Sequence, residues 1–203
     1  MLLGRLFAAF YDRGARRVEE AGLRDRRHAL LASLEGNILE IGAGTGLNLE
    51  HYSTAARPVL LEPDPHMRRK LEERLAGSPR TAEVVDAAAE ELPFPDASFD
   101  AVVATLVLCS VADLDRALEE IRRVLRPEGR LVLIEHVRGE GGTARLQDAL
   151  APTSRLLISC SPNRRTADAV RAAGFELAEE RFELEGGPPW TRPAIQGVAV
   201  KRA

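Results

Sequence analysis

Short apolar runs alternate with longer segments of helical periodicity along this chain, and this alternation predicts the fold. Seven apolar runs are predicted to be β-strands: residues 38–41, 58–62, 82–85, 99–108, 131–134, 175–184 and 195–201. Between them, apolar residues recur every three or four positions, which predicts helices at residues 15–34, 47–53, 113–125 and 164–173 and from residue 65 onward. This order is typical of an α/β protein with a doubly wound, mostly parallel sheet covered on both faces. We expect the last strand pair to add an antiparallel strand at one edge.

Capping and turn residues mark where several of these elements begin and end. Asp64 is placed to cap the helix that begins at Pro65. Residues 126–129, Arg-Pro-Glu-Gly, predict a turn before the fifth strand. Glycines at positions 139, 141 and 142 predict a loop and a less regular stretch that extends to about residue 160. Gly174 fits the position that follows the last turn of a helix.

Length and composition narrow the class of protein. The 203 residues are enough for one domain with a sizeable core. A net charge of −3, with no run of basic residues, disfavours nucleic acid as a partner. Cys109 and Cys160 are the two cysteines, and the chain has no C-x-x-C pattern or histidine cluster. We therefore predict no disulfide framework, no metal site and a location in the reducing cytoplasm.

The N-terminal residues 1–10 are apolar apart from Arg5. This run is shorter than the roughly 20 residues that cross a bilayer, so no integral membrane segment is predicted. Two interpretations remain open for it. It is either a helix packed on the domain or a helix that makes peripheral contact with a membrane surface.

The first predicted strand runs directly into a glycine turn. The turn consists of Gly42, Ala43, Gly44, Thr45 and Gly46. Alternating glycines allow a ligand to approach the backbone closely. The spacing differs from the dinucleotide pattern G-x-G-x-x-G, because Leu47 occupies the place of its third glycine. With Glu40 two residues ahead, the turn resembles motif I of the class I methyltransferases. This resemblance implies a Rossmann-like fold and S-adenosylmethionine as the cofactor.

A second acidic residue is predicted to complete the cofactor site. Glu62 closes the second strand, and ligands of such sheets bind beyond the carboxyl ends of the strands. A carboxylate there can accept both hydroxyls of a ribose, and the alternative is a solvated acid before Pro63. We include Pro63 among the cofactor contacts. Glu40 either supports the turn or faces the methionine amino group. Because the sulfonium is a cation, we expect close approach rather than phosphate-type binding at a helix N-terminus.

The segment before the fourth strand resembles the adenine-binding region of small-molecule methyltransferases. It contains Leu92-Pro93-Phe94 and continues to Ser98-Phe99-Asp100. In the family an acid-Ala pair contacts the adenine amine, and the place of the acid falls on Ala88 here. The resemblance therefore implies adenine contacts from Ala89 and Glu90. Asp86 could substitute for the missing acid only if the loop shifts.

The strand ends on the acceptor side carry the most specific resemblance. Thr105–Val111 reads Thr-Leu-Val-Leu-Cys-Ser-Val, and Ile134–Val137 reads Ile-Glu-His-Val. Together with residues 122–129, these segments resemble the methyltransferase-like alkyl-thiol methyltransferases and their bacterial relatives. The resemblance covers roughly residues 36–201. It implies methyl transfer to a thiol, with Thr105 as a further cofactor contact.

Thiol methylation makes modest demands on an active site. Transfer from a sulfonium is an in-line displacement, helped mainly by positioning and by exclusion of water. A free thiol, with a pKa of about 8.5, ionises readily. His136, at the end of the fifth strand, is the candidate to accept a proton or orient the acceptor, and the alternative is a histidine bonded to nearby backbone. Tyr11 and Asp12 are candidates for closing a lid over the cofactor, with simple packing as the alternative.

The predicted enzyme is one domain that acts on a small-molecule acceptor. Residues 1–35 are assigned to a helical lid, 36–137 to the cofactor-binding core and 138–203 to the acceptor side with the final hairpin. Two other reactions remain open on the same scaffold: N-methylation of an amine or lipid head group, and O-methylation of a phenol. A different class, a cofactor-binding module without catalysis, is supported by Ala88 and by Ala194, which stands where relatives have His.

Overall fold

The strands form a seven-stranded sheet in the order β3-β2-β1-β4-β5-β7-β6. This computed structural model describes residues 2–201, with side chains for residues 8–156 and 159–201. The strands are β1 Gly36–Ile41, β2 Ala56–Leu61, β3 Glu83–Val85, β4 Phe99–Thr105, β5 Leu125–His136, β6 Phe175–Glu183 and β7 Pro193–Lys201. The helices are α1 Leu2–Val18, α2 Arg24–Leu31, α3 Pro65–Ala76, α4 Leu114–Val124, α5 Gly141–Ile158 and α6 Thr166–Ala172.

Strand β1 lies where the order of the sheet reverses. It pairs in parallel with β2 on one side and with β4 on the other. Strands β4 and β5 are also parallel, whereas β7 is antiparallel to both β5 and the edge strand β6. The predicted α/β doubly wound fold is confirmed, with β7 as its antiparallel strand beside the edge. In such sheets the crevice at the reversal, beyond the carboxyl ends of β1 and β4, is where ligands bind.

The central strands are buried on both faces, which explains their nearly continuous apolar sequences. Leu39 and Val102 point to one face and pack with side chains of α4 and α6. Ile38 and Val103 point to the opposite face and pack with Leu31 of α2. Each fully buried aliphatic side chain stabilises the fold by about 1.5–3 kcal/mol. The two apolar layers therefore fix the strand ends that carry the site.

Helix α3 begins as its sequence predicts. The Asp64 carboxylate accepts hydrogen bonds from the amides of His66 (2.8 Å) and Met67 (3.0 Å), and Pro65 occupies the first helical position. Met67 and Leu71 are buried on the apolar face. The cap fixes the turn in which Glu62 lies.

The prediction of a helix at residues 47–53 is wrong. The structure has a short 3-10 turn there, Leu49–His51, and Tyr52 has an extended backbone with ψ 146°. The side chains of Asn48 and Tyr52 both point inward to Glu40. These two buried hydrogen bonds hold the segment in a form that cannot continue as an α-helix.

Strand β4 ends three residues earlier than predicted, at Thr105. Leu106 has φ +56°, a left-handed conformation that turns the chain out of the sheet. The prediction of a turn at residues 126–129 is also wrong, because these residues belong to β5. They form an irregularity in its pairing, between the Phe99–Leu125 and Ala101–Arg130 pairs.

The stretch predicted to be irregular up to residue 160 is mostly α5, an 18-residue helix. Gly141 and Gly142 lie at its start, and Pro152 lies within it. Gln147 anchors the helix from its buried face. Its Nε2 donates to the carbonyl oxygens of Val137, Pro162 and Trp190, and its Oε1 accepts from the Gly139 amide. These tertiary hydrogen bonds outweigh the local glycine and proline signals.

The N-terminal segment predicted to be helical at residues 15–34 is confirmed, with an interruption. Helices α1 and α2 are joined by Glu19–Leu23, in which Gly22 has φ +123°. Helix α1 packs against α3. The apolar run of residues 1–10 lies mostly outside the side chains that the structure describes. Among residues 2–201, no helix is both long and apolar enough to cross a membrane.

Candidate active site

The glycine turn between β1 and the 3-10 turn has a backbone that favours glycine. Gly42 and Gly44 both have φ +59°, and Gly46 has φ +84°. A Cβ at Gly42 would lie 2.3 Å from Cγ2 of Val107, whereas a Cβ at Gly44 would meet no atom closer than 3.8 Å. The turn is therefore packed tightly at Gly42 and open at Gly44. An open glycine backbone at the sheet reversal fits the predicted close approach of a cofactor.

Glu62 lies directly beyond β2 and faces this turn. Its Oε2 accepts from the Gly44 amide at 2.7 Å, and its Oε1 accepts from the Asp64 amide at 2.9 Å. Burial raises the pKa of Glu62, and the two amides counteract part of that shift. Each carboxylate oxygen can accept more than one hydrogen bond, so both retain capacity for ribose hydroxyls. Pro63 is exposed, and its carbonyl oxygen accepts from Arg68 at 3.3 Å.

Glu40 supports a buried polar network behind the turn. Its carboxylate accepts from the Tyr52 hydroxyl (2.7 Å) and from Asn48 Nδ2 (3.0 Å). Asn48 also donates to Thr105 Oγ1 at 3.0 Å and accepts from Arg27 at 2.7 Å. Burial raises the pKa of Glu40 to about 7. The network links β1 to the end of β4. Asn48 and Arg27 belong to no sequence motif that would have pointed to them.

Helix α1 is tied to the glycine turn through Asp12. Thr45 Oγ1 donates to Asp12 Oδ1 at 2.6 Å, and Asp12 Oδ2 lies 3.1 Å from Arg74 Nη2 and 3.9 Å from Lys70 Nζ. Burial raises the pKa of the neighbouring Tyr11. The structure therefore brings Asp12 to the glycine turn, with Tyr11 beside it in the chain, and the part of both residues in catalysis stays a prediction.

The predicted adenine contacts lie in the connection between β3 and β4, where Glu90 meets the start of α4. Ala89 is buried in the core. Glu90 Oε1 accepts from the amides of Ala112 (2.7 Å) and Asp113 (3.1 Å), just before α4. The Glu90 carboxylate thus has a structural role at the start of that helix. The adenine contacts assigned to Ala89 and Glu90 stay predictions.

Asp86 is connected to Glu62 through an arginine. Arg68 Nη2 pairs with Asp86 Oδ2 at 2.8 Å, while Arg68 Nη1 donates to the Glu62 carbonyl oxygen at 2.7 Å. Asp86 itself is exposed. Its side chain therefore helps to hold the backbone of Glu62, a role that its position in the sequence did not suggest.

The residues after β4, Leu106–Val111, form what we call the acceptor loop, and Glu135 of β5 holds it. Glu135 is fully buried. Its carboxylate accepts three consecutive backbone amides, from Val107 (2.8 Å), Leu108 (2.7 Å) and Cys109 (3.2 Å). Burial raises the pKa of Glu135 well above its usual range. Sequence reasoning missed this role, although an acid inside the apolar strand 131–136 was a usable signal.

His136 lies at the end of β5 and faces both cysteines. Its Nδ1 is 3.6 Å from Cys109 Sγ and 3.5 Å from Cys160 Sγ, and the two sulfurs are 3.4 Å apart. The hydrogen bond with Cys160, together with burial, raises the pKa of the Cys109 thiol. Burial lowers the pKa of His136, but Cys109 and Glu135 more than offset it, so the net shift is upward. Ala194 is the register partner of His136 on β7.

Comparison with known proteins points to one activity class. A family model described as a methyltransferase domain matches residues 39–133. Human thiol S-methyltransferase TMT1A is 36% identical over 172 residues, which cover 81% of this chain and 70% of the relative. Phosphatidylethanolamine N-methyltransferase of Cereibacter sphaeroides is 35% identical over 148 residues, covering 70% of this chain and 71% of that protein.

A solved structure agrees over nearly the whole fold. It is an S-adenosylmethionine-dependent methyltransferase of Thermotoga maritima, described as a possible histamine N-methyltransferase, with a TM-score of 0.71 and 98% of both chains covered. Its sequence identity of 23% supports a shared fold alone. The curated relatives differ in the atom that they methylate, which is sulfur in one and nitrogen in the other.

Proposed function

This chain belongs to the family of S-adenosylmethionine-dependent methyltransferases, and from that premise we propose that it methylates the sulfur of a small thiol. Its cofactor is S-adenosylmethionine, and its substrate is a small molecule. The observation that carries the thiol assignment is the 36% identity to human thiol S-methyltransferase TMT1A across most of both chains. A nitrogen acceptor is the second candidate, since an N-methyltransferase is 35% identical over 148 residues.

The cofactor would lie at the sheet reversal, against the open face of the glycine turn. There it supplies an electrophilic methyl group on a sulfonium. Glu62 would accept hydrogen bonds from the ribose hydroxyls, using the lone pairs that the amides of Gly44 and Asp64 leave available. Ala89 and Glu90 would contact the adenine. The Glu40 network and Asp12 would hold the turn and α1 around the ligand.

The acceptor would approach from the side of the acceptor loop. The half-buried side chains of Leu106 and Val107 give this wall an apolar character. A thiol acceptor needs little help to lose its proton, because its pKa is about 8.5. The acceptor sulfur then forms a bond to the methyl carbon as the carbon–sulfonium bond breaks. His136 is the polar side chain that we assign to orient the acceptor or take its proton, and the loop would exclude water.

The test is an acceptor panel with the purified full chain and isotopically labelled cofactor. Alkyl thiols, amines, an ethanolamine phospholipid and phenols would be compared, with product identity established by mass spectrometry. We expect transfer to thiol sulfur, and none by the Glu62→Ala variant. Turnover of an amine or phenol together with none of any thiol would remove the sulfur assignment and leave the methyltransferase assignment standing.

A further inference from the structure

Two cysteines and a histidine that are distant in the sequence meet beside the acceptor loop. Cys109 comes from that loop, His136 from the end of β5, and Cys160 from the connection between α5 and α6. The ligand atoms form a nearly equilateral triangle, with 3.4 Å between the sulfurs and 3.5 and 3.6 Å from Nδ1 to each sulfur. All three are metal-binding side chains, each offering one ligand atom.

The size of this triangle matches the base of a tetrahedral zinc site. Zn–S bonds of about 2.3 Å and Zn–N bonds of about 2.0–2.1 Å, at tetrahedral angles, place sulfurs about 3.8 Å apart and nitrogen about 3.6 Å from sulfur. The observed 3.4, 3.5 and 3.6 Å are within a few tenths of an ångström of those values. A disulfide would instead bring the sulfurs to about 2.05 Å. We propose that Cys109, His136 and Cys160 bind one Zn²⁺ ion.

The backbone holds the ligands in place independently of the metal. The Cys109 amide donates to Glu135 Oε2, and its carbonyl oxygen accepts from the Ser161 amide at 2.9 Å. The second bond joins the two cysteine-bearing segments directly. His136 is fixed by the pairing of β5 with β7. A site whose ligands are already positioned loses little conformational entropy when the ion binds.

Charge balance favours the same ligand set. Cys109 is fully buried and Cys160 is 5% exposed, so an uncompensated charge here would be costly. Two thiolates balance the charge of Zn²⁺, and the neutral imidazole adds none. Thiolate and imidazole donors also suit zinc better than the oxygen-preferring Mg²⁺ or Ca²⁺.

Three protein ligands leave the fourth position of the tetrahedron for a small molecule, as in catalytic rather than structural zinc sites. This step rests on the proposed function: at the acceptor side, the fourth ligand would be the sulfur of the thiol substrate. Binding to Zn²⁺ would release the thiol proton to solvent and present a thiolate. This third thiolate gives the site one net negative charge, which methyl transfer removes by converting the thiolate to a neutral thioether. His136 would then act as a ligand rather than as the base.

Cobalt titration tests the metal site directly. The reduced, chelator-treated full chain is titrated with Co²⁺, which gives thiolate-to-metal charge-transfer absorption and intense visible bands in a tetrahedral sulfur site. We expect these bands to saturate at one Co²⁺ per chain and to disappear when Zn²⁺ is added. A spectrum indistinguishable from aqueous Co²⁺ would overturn the proposal without the need for any variant.

Variants then identify the ligands. The substitutions Cys109→Ser, Cys160→Ser and His136→Ala should each weaken Zn²⁺ binding by more than about 100-fold. Mutation of a residue that only hydrogen-bonds to a metal ligand typically weakens binding by about 10- to 100-fold. His28→Ala, which removes an exposed imidazole, is the matched control and should bind normally. Circular dichroism confirms that each variant is folded. Full Co²⁺ binding by a folded Cys160→Ser variant would contradict the site.

The metal site and the proposed function can fail separately. Adding an alkyl thiol to the Co²⁺-loaded chain should shift the charge-transfer band if the fourth position takes the substrate. Equal thiol methylation by the metal-free chain would exclude a role for zinc in the reaction and leave the thiol activity intact. Zinc binding without methylation of any thiol would support the metal site and remove the thiol activity.

Discussion

The cofactor side and the acceptor side of this molecule are built in different ways. On the cofactor side, Glu62 bonds to amides only 2 and 18 residues away, those of Asp64 and Gly44. On the acceptor side, Cys109 and Cys160 meet across 51 residues of sequence. The part of the first site built around Glu62 is a local motif placed at the end of a strand. The second exists only after the sheet and the helices around it have assembled.

The two sides also use buried carboxylates differently. Glu62 accepts two amides and keeps lone pairs for a ligand, whereas Glu135 accepts three amides of one loop and is fully buried. Changes at the cofactor side should therefore affect ligand affinity first. Changes at the acceptor side should affect stability and the kinetics of the acceptor first.

The largest expected effect is a loss of cofactor affinity when the cofactor side is changed at Glu62. Glu62→Ala removes a charged acceptor of two proposed ribose hydrogen bonds, each contributing about 1.5–3 kcal/mol. We expect the Kd for S-adenosylhomocysteine, measured by calorimetry, to rise at least about 100-fold. Glu50→Ala, which changes an exposed acid near the same turn, should leave the Kd unchanged. An unchanged Kd in folded Glu62→Ala would remove the ribose assignment.

The same contrast explains how much the sequence could predict. The glycine turn, Glu62 and the cap at Asp64 depend on neighbours close in the chain, and sequence spacing was enough to place them at one edge of the sheet. Helix α5 is stabilised by Gln147, whose partners include Trp190, 43 residues away. Local glycine and proline signals therefore gave the wrong structure for that segment.

The side-chain cluster on the acceptor side could not be found by spacing for the same reason. The prediction of no metal site rested on the absence of a C-x-x-C pattern and of a histidine cluster, and both tests detect only ligands close together in sequence. Cys109 and His136 are 27 residues apart, and His136 and Cys160 are 24 residues apart. Register and helix packing, rather than motif, bring them together.

The second prediction concerns stability on the acceptor side. Glu135→Ala leaves three amides without their acceptor, and a buried unsatisfied donor costs about 1–3 kcal/mol. We expect a loss of at least about 3 kcal/mol in the free energy of unfolding, measured in urea, and a KM for the acceptor about tenfold higher. Affinity for S-adenosylhomocysteine should change less than about threefold. Glu128→Ala, an exposed acid on the same strand, should be neutral.

A smaller effect is expected where the two sides touch, at Gly42 and Val107. Gly42→Ala and Gly44→Ala share φ +59°, so each should lose about 1–2 kcal/mol of stability from the left-handed backbone. Gly42→Ala should lose about 1–3 kcal/mol more, because its Cβ meets Val107 at 2.3 Å.

A double variant isolates that contact. In Gly42→Ala with Val107→Ala, the Cγ2 methyl responsible for the clash is gone, so the extra loss should largely disappear in a double-mutant cycle. If Gly42→Ala and Gly44→Ala prove equally stable in urea, packing of Val107 against the glycine turn does not limit the side chain at position 42. The acceptor loop and the glycine turn would then contribute to stability independently.

The smallest effect is a pH dependence specific to the cofactor side. Burial raises the pKa of Glu40 to about 7, so near pH 6 the carboxyl is mostly protonated and near pH 8 mostly ionised. S-adenosylmethionine carries a sulfonium and an ammonium, and a nearby carboxylate favours such a cation only when ionised. Binding should therefore lower the pKa of Glu40 and release protons below pH 7. We expect the Kd to fall by up to about tenfold between pH 6 and pH 8.

Glu40→Gln keeps an acceptor oxygen for Asn48 but cannot ionise, so its Kd should be flat over the same pH range. Stability of the free protein provides an independent sign check. The unfolded carboxyl ionises near 4.5, before the folded one near 7, so this group's contribution to stability is present below about pH 4.5 and lost as pH rises to about 7. Urea unfolding of the wild type against Glu40→Gln should show this loss in the wild type alone. If neither the Kd nor the difference in unfolding free energy between wild type and Glu40→Gln changes with pH, Glu40 stays in one protonation state over this range. The buried carboxylate of the cofactor side then does not titrate near pH 7, and no pH dependence separates it from Glu135 on the acceptor side.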